Sequence, residues 1–172
     1  LCAAAGCGGE VLLRRTDARM IQSVTALLRQ TGCELLEERD AVLVRKTGKT
    51  GIISDVKTAA YPGFPTDCQA ILTAALLRAE GESRIEETVF EDRFHNVPEL
   101  QKLGAKLEIH HNTVHISGVR TLSGAKLTAR DLRGGAALVL AAMQAEGESR
   151  VEGLTHIDRG YERFAEKLRA LG

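Results

Sequence analysis

The middle of the chain alternates between helical and strand patterns of apolar residues. Over residues 68–79 the apolar side chains recur at helical spacing, and Gly81 follows the pattern. Thr66 and Gln69, three positions apart, have the form of a capping box in front of this run, with Thr66 as the N-cap. Residues 83–90 are too short for another helix and favour a strand. The pattern therefore predicts one helix followed by one strand.

A second helix and a β-hairpin are predicted next. Asn96 is a capping residue, Pro98 lies in the first helical turn, and Gly104 ends the helix. Apolar and polar residues then alternate over residues 106–110 and 114–117, on both sides of a short Asn-Thr turn. The predicted order in this part of the chain is helix, strand, helix, strand, strand.

Two phrases of the sequence recur and divide the chain into units. Residues 79–86 return almost unchanged as residues 145–152, a shift of 66 positions. A Leu-x-x-x-Gly phrase ends at each of three glycines, Gly32, Gly104 and Gly172. Repeats of this length predict supersecondary units that share a core. Three units are expected, the outer two incomplete, approximately over residues 1–57, 58–127 and 128–172.

The predicted fold class is α/β (α+β). Alternating strands and helices require parallel crossover connections, whereas the hairpin adds antiparallel neighbours. The Ala-rich segment 134–145 is apolar on almost all sides, which is typical of a buried helix. Together with residues 1–5 and 68–79 it predicts three helices inside the domain. Amphipathic helical faces are predicted outside them, at Met20, Ile21, Val24, Leu27 and Leu28 and at Tyr161, Phe164, Leu168 and Leu171.

Composition and charge exclude several classes of partner. The 172 residues are enough for one domain with a real core, and only 3% of them are aromatic, so burial must come from small aliphatic side chains. Lys and Arg number 23, and so do Asp and Glu, giving zero net charge. Duplex nucleic acid is therefore not an expected partner, because that binding needs a basic face. No apolar run approaches the roughly 18 residues of a membrane helix.

Neither the cysteines nor the histidines form a recognisable metal motif. The cysteines contain no C-x-x-C pair and are expected to be reduced, buried thiols, which favours a cytoplasmic location. Three histidines fall on the predicted hairpin, where they lack helical metal-ligand spacing, so no metal is expected there. The residues concerned are Cys2, Cys7, Cys33 and Cys68, and His110, His111 and His115.

Charged residues cluster where the buried helices begin. Asp67 lies in the first turn of one helix, and Asp131 and Arg133 open the next. Arg93 and Arg159 each follow an aspartate between a predicted strand and a predicted helix. Helix N-termini favour negative charge, so together with the arginines they predict an anion site. Two plainer interpretations remain: Asp67 as a simple cap, and Arg93 and Arg159 as surface ion pairs.

Four motifs in order resemble the UDP-N-acetylglucosamine 1-carboxyvinyltransferase family of enolpyruvyl transferases. They are Phe-Pro-Thr-Asp at 64–67, Thr-Val-Phe-Glu-Asp-Arg-Phe at 88–94, Asp-Leu-Arg at 131–133 and His-Ile-Asp-Arg-Gly-Tyr-Glu-Arg at 156–163. The resemblance covers nearly the whole chain but corresponds to only about the C-terminal two-fifths of the enzyme. It implies an inside-out α/β barrel built from three βαβαββ-type units, the outer two truncated here.

The resemblance also implies an activity and the residues that perform it. The family transfers enolpyruvate from phosphoenolpyruvate to the 3′-hydroxyl of UDP-N-acetylglucosamine and releases phosphate, in the first committed step of peptidoglycan synthesis. Asp67 matches the family's proton acceptor. Arg93, Arg133 and Arg159 match arginines that face phosphoenolpyruvate, and Val89 lies near the sugar nucleotide. No cofactor or metal is implied.

The resemblance leaves out part of the enzyme. The other domain, whose mobile loop carries a reactive cysteine, has no counterpart among these residues. The fragment alone is therefore expected to be inactive, and UDP-N-acetylglucosamine and phosphoenolpyruvate are its expected partners together with that domain. Two alternatives remain open. One is 3-phosphoshikimate 1-carboxyvinyltransferase, the sister enzyme. The other is a non-catalytic lobe that binds a sugar nucleotide or another anion.

Overall fold

The computed structural model describes residues 1–171; Gly172, the last glycine of the repeated phrase, lies outside the described residues. The helices are α1 (Cys2–Cys7), α2 (Gln22–Gln30), α3 (Gln69–Ala75), α4 (Val97–Gln101), α5 (Leu132–Met143), α6 (Leu154–Asp158) and α7 (Phe164–Leu171). The strands are β1 (Gly9–Arg14), β2 (Glu34–Glu37), β3 (Ala41–Lys46), β4 (Val56–Lys57), β5 (Glu82–Glu86), β6 (Lys106–His110), β7 (Thr113–Ser117), β8 (Lys126–Thr128) and β9 (Arg150–Glu152).

The strands form three small sheets that combine parallel and antiparallel pairs. The first has the order β1-β3-β2 and is antiparallel, and the third pairs β8 with β9 in parallel. The second has the order β4-β5-β7-β6, with β4 parallel to β5 and the remaining pairs antiparallel. Val114 lies opposite both Ile85 and Ile109 in this sheet. The predicted hairpin and the mixed α/β fold class are confirmed.

Three helices, α1, α3 and α5, pack against one another in the core. Their contact surfaces carry small and branched aliphatic side chains, including buried Ala5, Leu72, Ala74, Ala137 and Ala141. The approach is close: a Cβ placed on Gly6 of α1 would lie 3.2 Å from the Cα of Ala75 in α3. The prediction of three buried helices is confirmed, and helices this close leave little room for aromatic rings.

Helix α3 is shorter than its apolar pattern predicts. It ends at Ala75 instead of continuing to residue 79. The backbone beyond it bonds to neighbouring segments, because Val119 N donates to Leu77 O and Glu80 N donates to Thr50 O, both at 2.9 Å. These bonds take the place of further helical hydrogen bonds, so the apolar pattern continues beyond the end of the helix.

Two glycines allow backbone segments to touch beyond the ends of α3 and α5. A Cβ on Gly118 would lie 1.7 Å from the carbonyl oxygen of Ala79, and one on Gly124 would lie 2.1 Å from that of Glu148. Neither glycine has a positive φ, so the absence of a side chain, and not an unusual backbone conformation, is what each position requires.

Several predicted boundaries and caps are wrong. Thr66 does not cap α3: a 3-10 turn over Thr66–Cys68 precedes the helix, and the Thr66 hydroxyl donates to Glu87 at 2.7 Å. Strand β5 stops at Glu86 and does not reach residue 90, because Thr88 N donates to the Thr58 hydroxyl and the amides of Val89 and Phe90 donate to the Glu87 carboxylate. Asn96 precedes α4 as predicted, but its buried side chain makes no capping bond.

Several apolar residues of the outer helices are exposed. Met20 and Leu171, predicted on the apolar faces of amphipathic helices, are 68% and 61% exposed, and α7 buries none of its described residues. All four cysteines are free, but Cys7, predicted to be buried, is exposed. Among residues 1–171, no helix is long and apolar enough to cross a membrane.

Candidate functional site

The N-terminal turns of α3 and α5 meet in an ion pair between Asp67 and Arg133. Arg133 Nε donates to Asp67 Oδ1 across 66 positions of sequence. The Arg133 backbone is held separately, because Asp131 Oδ1 accepts from Arg133 N at 2.9 Å and from Gly134 N at 2.8 Å. The two charged groups predicted to share one face of the domain therefore lie in direct contact.

Asp67 is not a helix cap. It lies inside the 3-10 turn before α3, makes no capping bond, and its side chain is 59% exposed. The hydrogen bond from Arg133 is the main cause that lowers the pKa of Asp67 below 3.8, and the charge of Arg93 contributes in the same direction. The carboxyl is therefore ionised at neutral pH, so it can accept a proton.

Arg93 lies in the loop between β5 and α4, as predicted. Its guanidinium carbon is 4.3 Å from the centroid of the Phe90 ring, a cation–π arrangement. The neighbouring Asp92 approaches His95 instead, at 3.4 Å. Within residues 1–171 no carboxylate lies at ion-pairing distance from Arg93, so the surface ion pair considered for this arginine is not formed.

Two adjoining clefts border this loop. The smaller, about 290 Å³, is lined by Arg93 and Arg133 together with Thr66 and Asn96. The larger, about 1170 Å³, is lined by Val89 and again by Arg93. Val89 is 41% exposed. The structure thus brings Arg93 and Arg133 into one cleft beside Asp67 and places Val89 in the next.

Arg159 is not brought into either cleft. The sequence predicts that it is equivalent to Arg93, but α6 intervenes after β9 and Arg159 lies at the C-terminal end of that helix. Its neighbour Gly160 approaches the first turn of α5, where a Cβ would lie 2.8 Å from Leu132 Cδ2. The predicted equivalence is therefore wrong, although the chain beside Arg159 does contact α5.

Glu87 is a residue that the sequence reasoning missed. It is 2% exposed, and its carboxylate accepts bonds from Thr58, Thr66, Val89 and Phe90. Burial alone raises the pKa of Glu87, but these hydrogen bonds outweigh it and the net pKa is below 4.5. Strand alternation could have revealed it, because Glu87 continues the inward face of Ser83 and Ile85.

The histidines of the hairpin are arranged as an aromatic pair. The rings of His110 and His115 meet edge to face with centroids 4.9 Å apart. In the part of the chain that the structure describes, no three His, Cys, Asp or Glu side chains are grouped so as to hold a metal ion.

The sequence profile of EPSP synthase (3-phosphoshikimate 1-carboxyvinyltransferase) matches residues 1–168. The chain belongs to this family. The profile confirms that the chain belongs to the enolpyruvyl transferases, and the more specific resemblance of the four motifs is confirmed by the relatives that follow.

Within the family, the chain is similar to UDP-N-acetylglucosamine 1-carboxyvinyltransferases. It is 48% identical over 166 residues to UDP-N-acetylglucosamine 1-carboxyvinyltransferase 2 of Carboxydothermus hydrogenoformans, covering 95% of this chain and 39% of that protein. It is 48% identical over 172 residues to the Salmonella typhimurium enzyme, covering 100% of this chain and 41% of that protein. The chain spans about two-fifths of the length of these relatives.

Solved structures of the family share the fold. The enolpyruvyl transferase NikO from Streptomyces tendae superposes with a TM-score of 0.83 at 27% identity, covering 99% of this chain and 41% of that chain. An EPSP synthase from Acinetobacter baumannii gives a TM-score of 0.76 at 15% identity, covering 98% of this chain and 43% of that chain. The second likeness concerns the fold alone.

Proposed function

We propose that this chain forms part of an enzyme that transfers enolpyruvate from phosphoenolpyruvate to the 3′-hydroxyl of UDP-N-acetylglucosamine, the first committed step of peptidoglycan synthesis. The observation that carries the proposal is the Asp67–Arg133 contact with Arg93 in the same cleft. Identity of 48% to enzymes named for this reaction favours UDP-N-acetylglucosamine over shikimate 3-phosphate as the acceptor.

The proposed reaction requires one base and fixed positive charge. The acceptor hydroxyl forms a C–O bond to C2 of phosphoenolpyruvate while Asp67 takes the hydroxyl proton and C3 gains a proton that comes ultimately from water. The tetrahedral adduct then loses phosphate from C2 and a proton from C3, which restores the double bond. Arg93 and Arg133 stabilise the carboxylate and phosphate of the substrate through charge-assisted hydrogen bonds. Both arginines line the smaller cleft, so each can reach an anionic substrate that binds there.

The Asp67–Arg133 pair makes the base sensitive to the anion. An anionic substrate that binds Arg133 competes with Asp67 for the guanidinium. Since the hydrogen bond from Arg133 is the main cause of the lowered pKa of Asp67, its loss raises that pKa and makes the carboxylate a stronger base. Phosphoenolpyruvate binding thus makes Asp67 a stronger base before it accepts the hydroxyl proton.

Two further roles are part of the proposal. Val89, in the wall of the larger cleft, contacts the sugar nucleotide. Arg159 faces phosphoenolpyruvate only when the second domain closes over the site. Both substrates are bound between this chain and that domain, and the expectation that these residues alone are inactive belongs to the same proposal.

The finer architecture and location are also proposed. The three repeated units, approximately 1–57, 58–127 and 128–172, form an inside-out barrel around α1, α3 and α5. The mutual packing of these helices supports this organisation. A cytoplasmic location fits a biosynthetic enzyme that uses nucleotide-activated sugar.

Calorimetry and a phosphate-release assay test the function. We expect the chain to bind UDP-N-acetylglucosamine or phosphoenolpyruvate without turnover, and Arg133→Gln to weaken phosphoenolpyruvate binding. Arg78→Gln, away from the candidate site, serves as the matched control and should bind like the wild type. Absence of binding to both ligands contradicts the proposal, and steady-state phosphate release by the chain alone contradicts its expected inactivity. Binding of shikimate 3-phosphate in preference to the UDP-sugar favours the sister enzyme.

A further inference from the structure

We infer that Glu87 is a positioning residue of the candidate site, whose carboxylate fixes the segment carrying Asp67 relative to the loop carrying Arg93. The inference rests on the proposed function, because it concerns the same site. It goes further by assigning a role to a residue that neither the motifs nor the charge pattern single out.

The Glu87 carboxylate joins three separate segments. Its Oε1 accepts from Thr58 Oγ1 at 2.8 Å, from Val89 N at 2.8 Å and from Phe90 N at 3.1 Å. Its Oε2 accepts from Thr66 Oγ1 at 2.7 Å. Thr58 directly follows β4, Thr66 directly precedes Asp67, and Val89 and Phe90 begin the loop that leads to Arg93. One carboxylate thus connects both functional segments to the second sheet.

The backbone of Glu87 is anchored as firmly as its side chain. Glu87 N donates to Asn112 O at 2.8 Å, and Asn112 Nδ2 donates to Glu87 O at 3.0 Å. The carboxylate therefore projects from a fixed point beside the β6–β7 hairpin. Because Glu87 is 2% exposed, it does not offer its carboxylate to a ligand, and it acts through Asp67 and Arg93.

The charge state of Glu87 suits this role. Among residues 1–171, no lysine or arginine forms an ion pair with it, so its buried negative charge is stabilised by four neutral donors. Buried carboxylates without a cation are costly unless hydrogen bonds compensate them. An ionised carboxylate accepts at both oxygens, whereas a glutamine at this position presents an NH2 group to donors and must lose part of the set.

Glu99 offers a matched control. It is also buried, at 7% exposure, and also accepts a backbone bond, from Thr128 N at 2.9 Å, besides pairing with Lys102 at 2.7 Å. It joins α4 to β8, and within residues 1–171 its carboxylate forms hydrogen bonds only with Lys102 and Thr128, outside the Asp67 segment and residues 88–93. Glu99→Gln therefore removes a comparable buried carboxylate without disturbing the proposed link.

The first test measures phosphoenolpyruvate binding by calorimetry at a temperature where every variant is fully folded by circular dichroism. We expect Glu87→Gln to weaken binding at least tenfold and Glu99→Gln to stay within twofold of the wild type. Thr58→Val should weaken binding, whereas Thr58→Ser, which keeps the hydroxyl, should restore it. Equal affinities for Glu87→Gln and Glu99→Gln would overturn the inference.

A second readout keeps the inference testable if the wild type binds no ligand, a result that contradicts the proposed function. Backbone amide exchange is then compared among the folded variants. Glu87→Gln should speed exchange at least tenfold in residues 66–68 and 88–93 together, while Glu99→Gln leaves both segments unchanged. Unchanged exchange in Glu87→Gln refutes the positioning role. If Glu87→Gln does not fold, Thr58→Val and Thr58→Ser decide both measurements.

Discussion

Helices α3 and α5 both begin next to an aspartate, but the two aspartates have different roles. Asp131 accepts from two backbone amides of α5 and so caps the helix. Asp67 accepts from no amide of α3, because the 3-10 turn there is closed by its own backbone, with Cys68 N bonding to Pro65 O at 2.9 Å. An acidic residue at a helix start is free for chemistry when the backbone satisfies its own donors.

The spacing of Asp67 and Arg133 matches the repeat in the sequence. They stand 66 positions apart, which is also the shift between the two copies of the repeated phrase. The ion pair thus joins the turn before α3 to the first turn of α5, two segments that are separated by this same shift.

The largest expected effect comes from the packing of the first turn of α5 against α6. A Cβ on Gly135 would lie 2.7 Å from Ile157 Cγ1 and 3.0 Å from Ala129 Cβ. Gly135→Ala should therefore lower the free energy of unfolding by about 1–3 kcal/mol, the usual cost of overpacking. Urea denaturation measures it, and a wild-type midpoint would show that α5 and α6 can separate without cost.

Removal of each aspartate in turn tests their different roles. Asp131→Ala should reduce the free energy of unfolding by about 0.5–2 kcal/mol, because it leaves two α5 amides without a cap. Asp67→Ala should cost less, because an exposed ion pair contributes at most about 1 kcal/mol. Thermal denaturation of both variants provides the comparison. Equal or reversed losses would mean that Asp67 supports its helix as Asp131 does.

The Asp67–Arg133 contact can be examined without unfolding the protein. Arg133→Gln should raise the pKa of the Asp67 carboxyl toward 3.8, because the main cause of its depression is removed. Carboxyl 13C NMR titration of Asp67 measures this shift, with Arg78→Gln as the control. A pKa of Asp67 that does not change in Arg133→Gln would show that the contact is absent in solution.

The smallest effect appears only at acidic pH and concerns Glu87, which accepts a hydrogen bond from Thr66 in the 3-10 turn before α3. Glu87 has a folded-state pKa below its ordinary 4.5, so its contribution to stability is complete above pH 4.5 and is lost as the pH falls through the folded-state value. Glu87→Gln should therefore show a shallower loss of unfolding free energy below pH 4.5 than the wild type. Parallel curves for the two proteins would contradict the hydrogen-bonded, ionised state of Glu87.

The elements that are predicted best from the sequence are those that depend on the local pattern of apolar residues. Helix α5 is foreseen within two residues at each end because it is apolar on almost all sides. The end of α3 is not foreseen, because the residues after it form backbone hydrogen bonds with Val119 and Thr50, which lie far away in the sequence. The same distinction applies to the candidate site. Residue type and sequence position are enough to single out Arg93 and Arg133, whereas the contact between Arg133 and Asp67 depends on how two helices pack.

Two other misses have equally specific causes. Thr66 has the residue type of a cap, but the hydroxyl bonds to a buried carboxylate 21 positions away. Arg159 follows an aspartate as Arg93 does, but a five-residue helix separates it from its strand. A motif of two or three residues does not show which distant group a side chain bonds to or whether a helix lies between the motif and its strand.

The close crossings at Gly118 and Gly124 have a consequence for mutational tolerance. Each added Cβ would overlap a carbonyl oxygen of the neighbouring backbone, so even alanine, the smallest replacement, requires the two segments to move apart. In a saturation library sorted for folded protein, these two positions should retain glycine alone, whereas Gly104, with open space around an added Cβ but a φ of +87°, should tolerate asparagine better than other replacements.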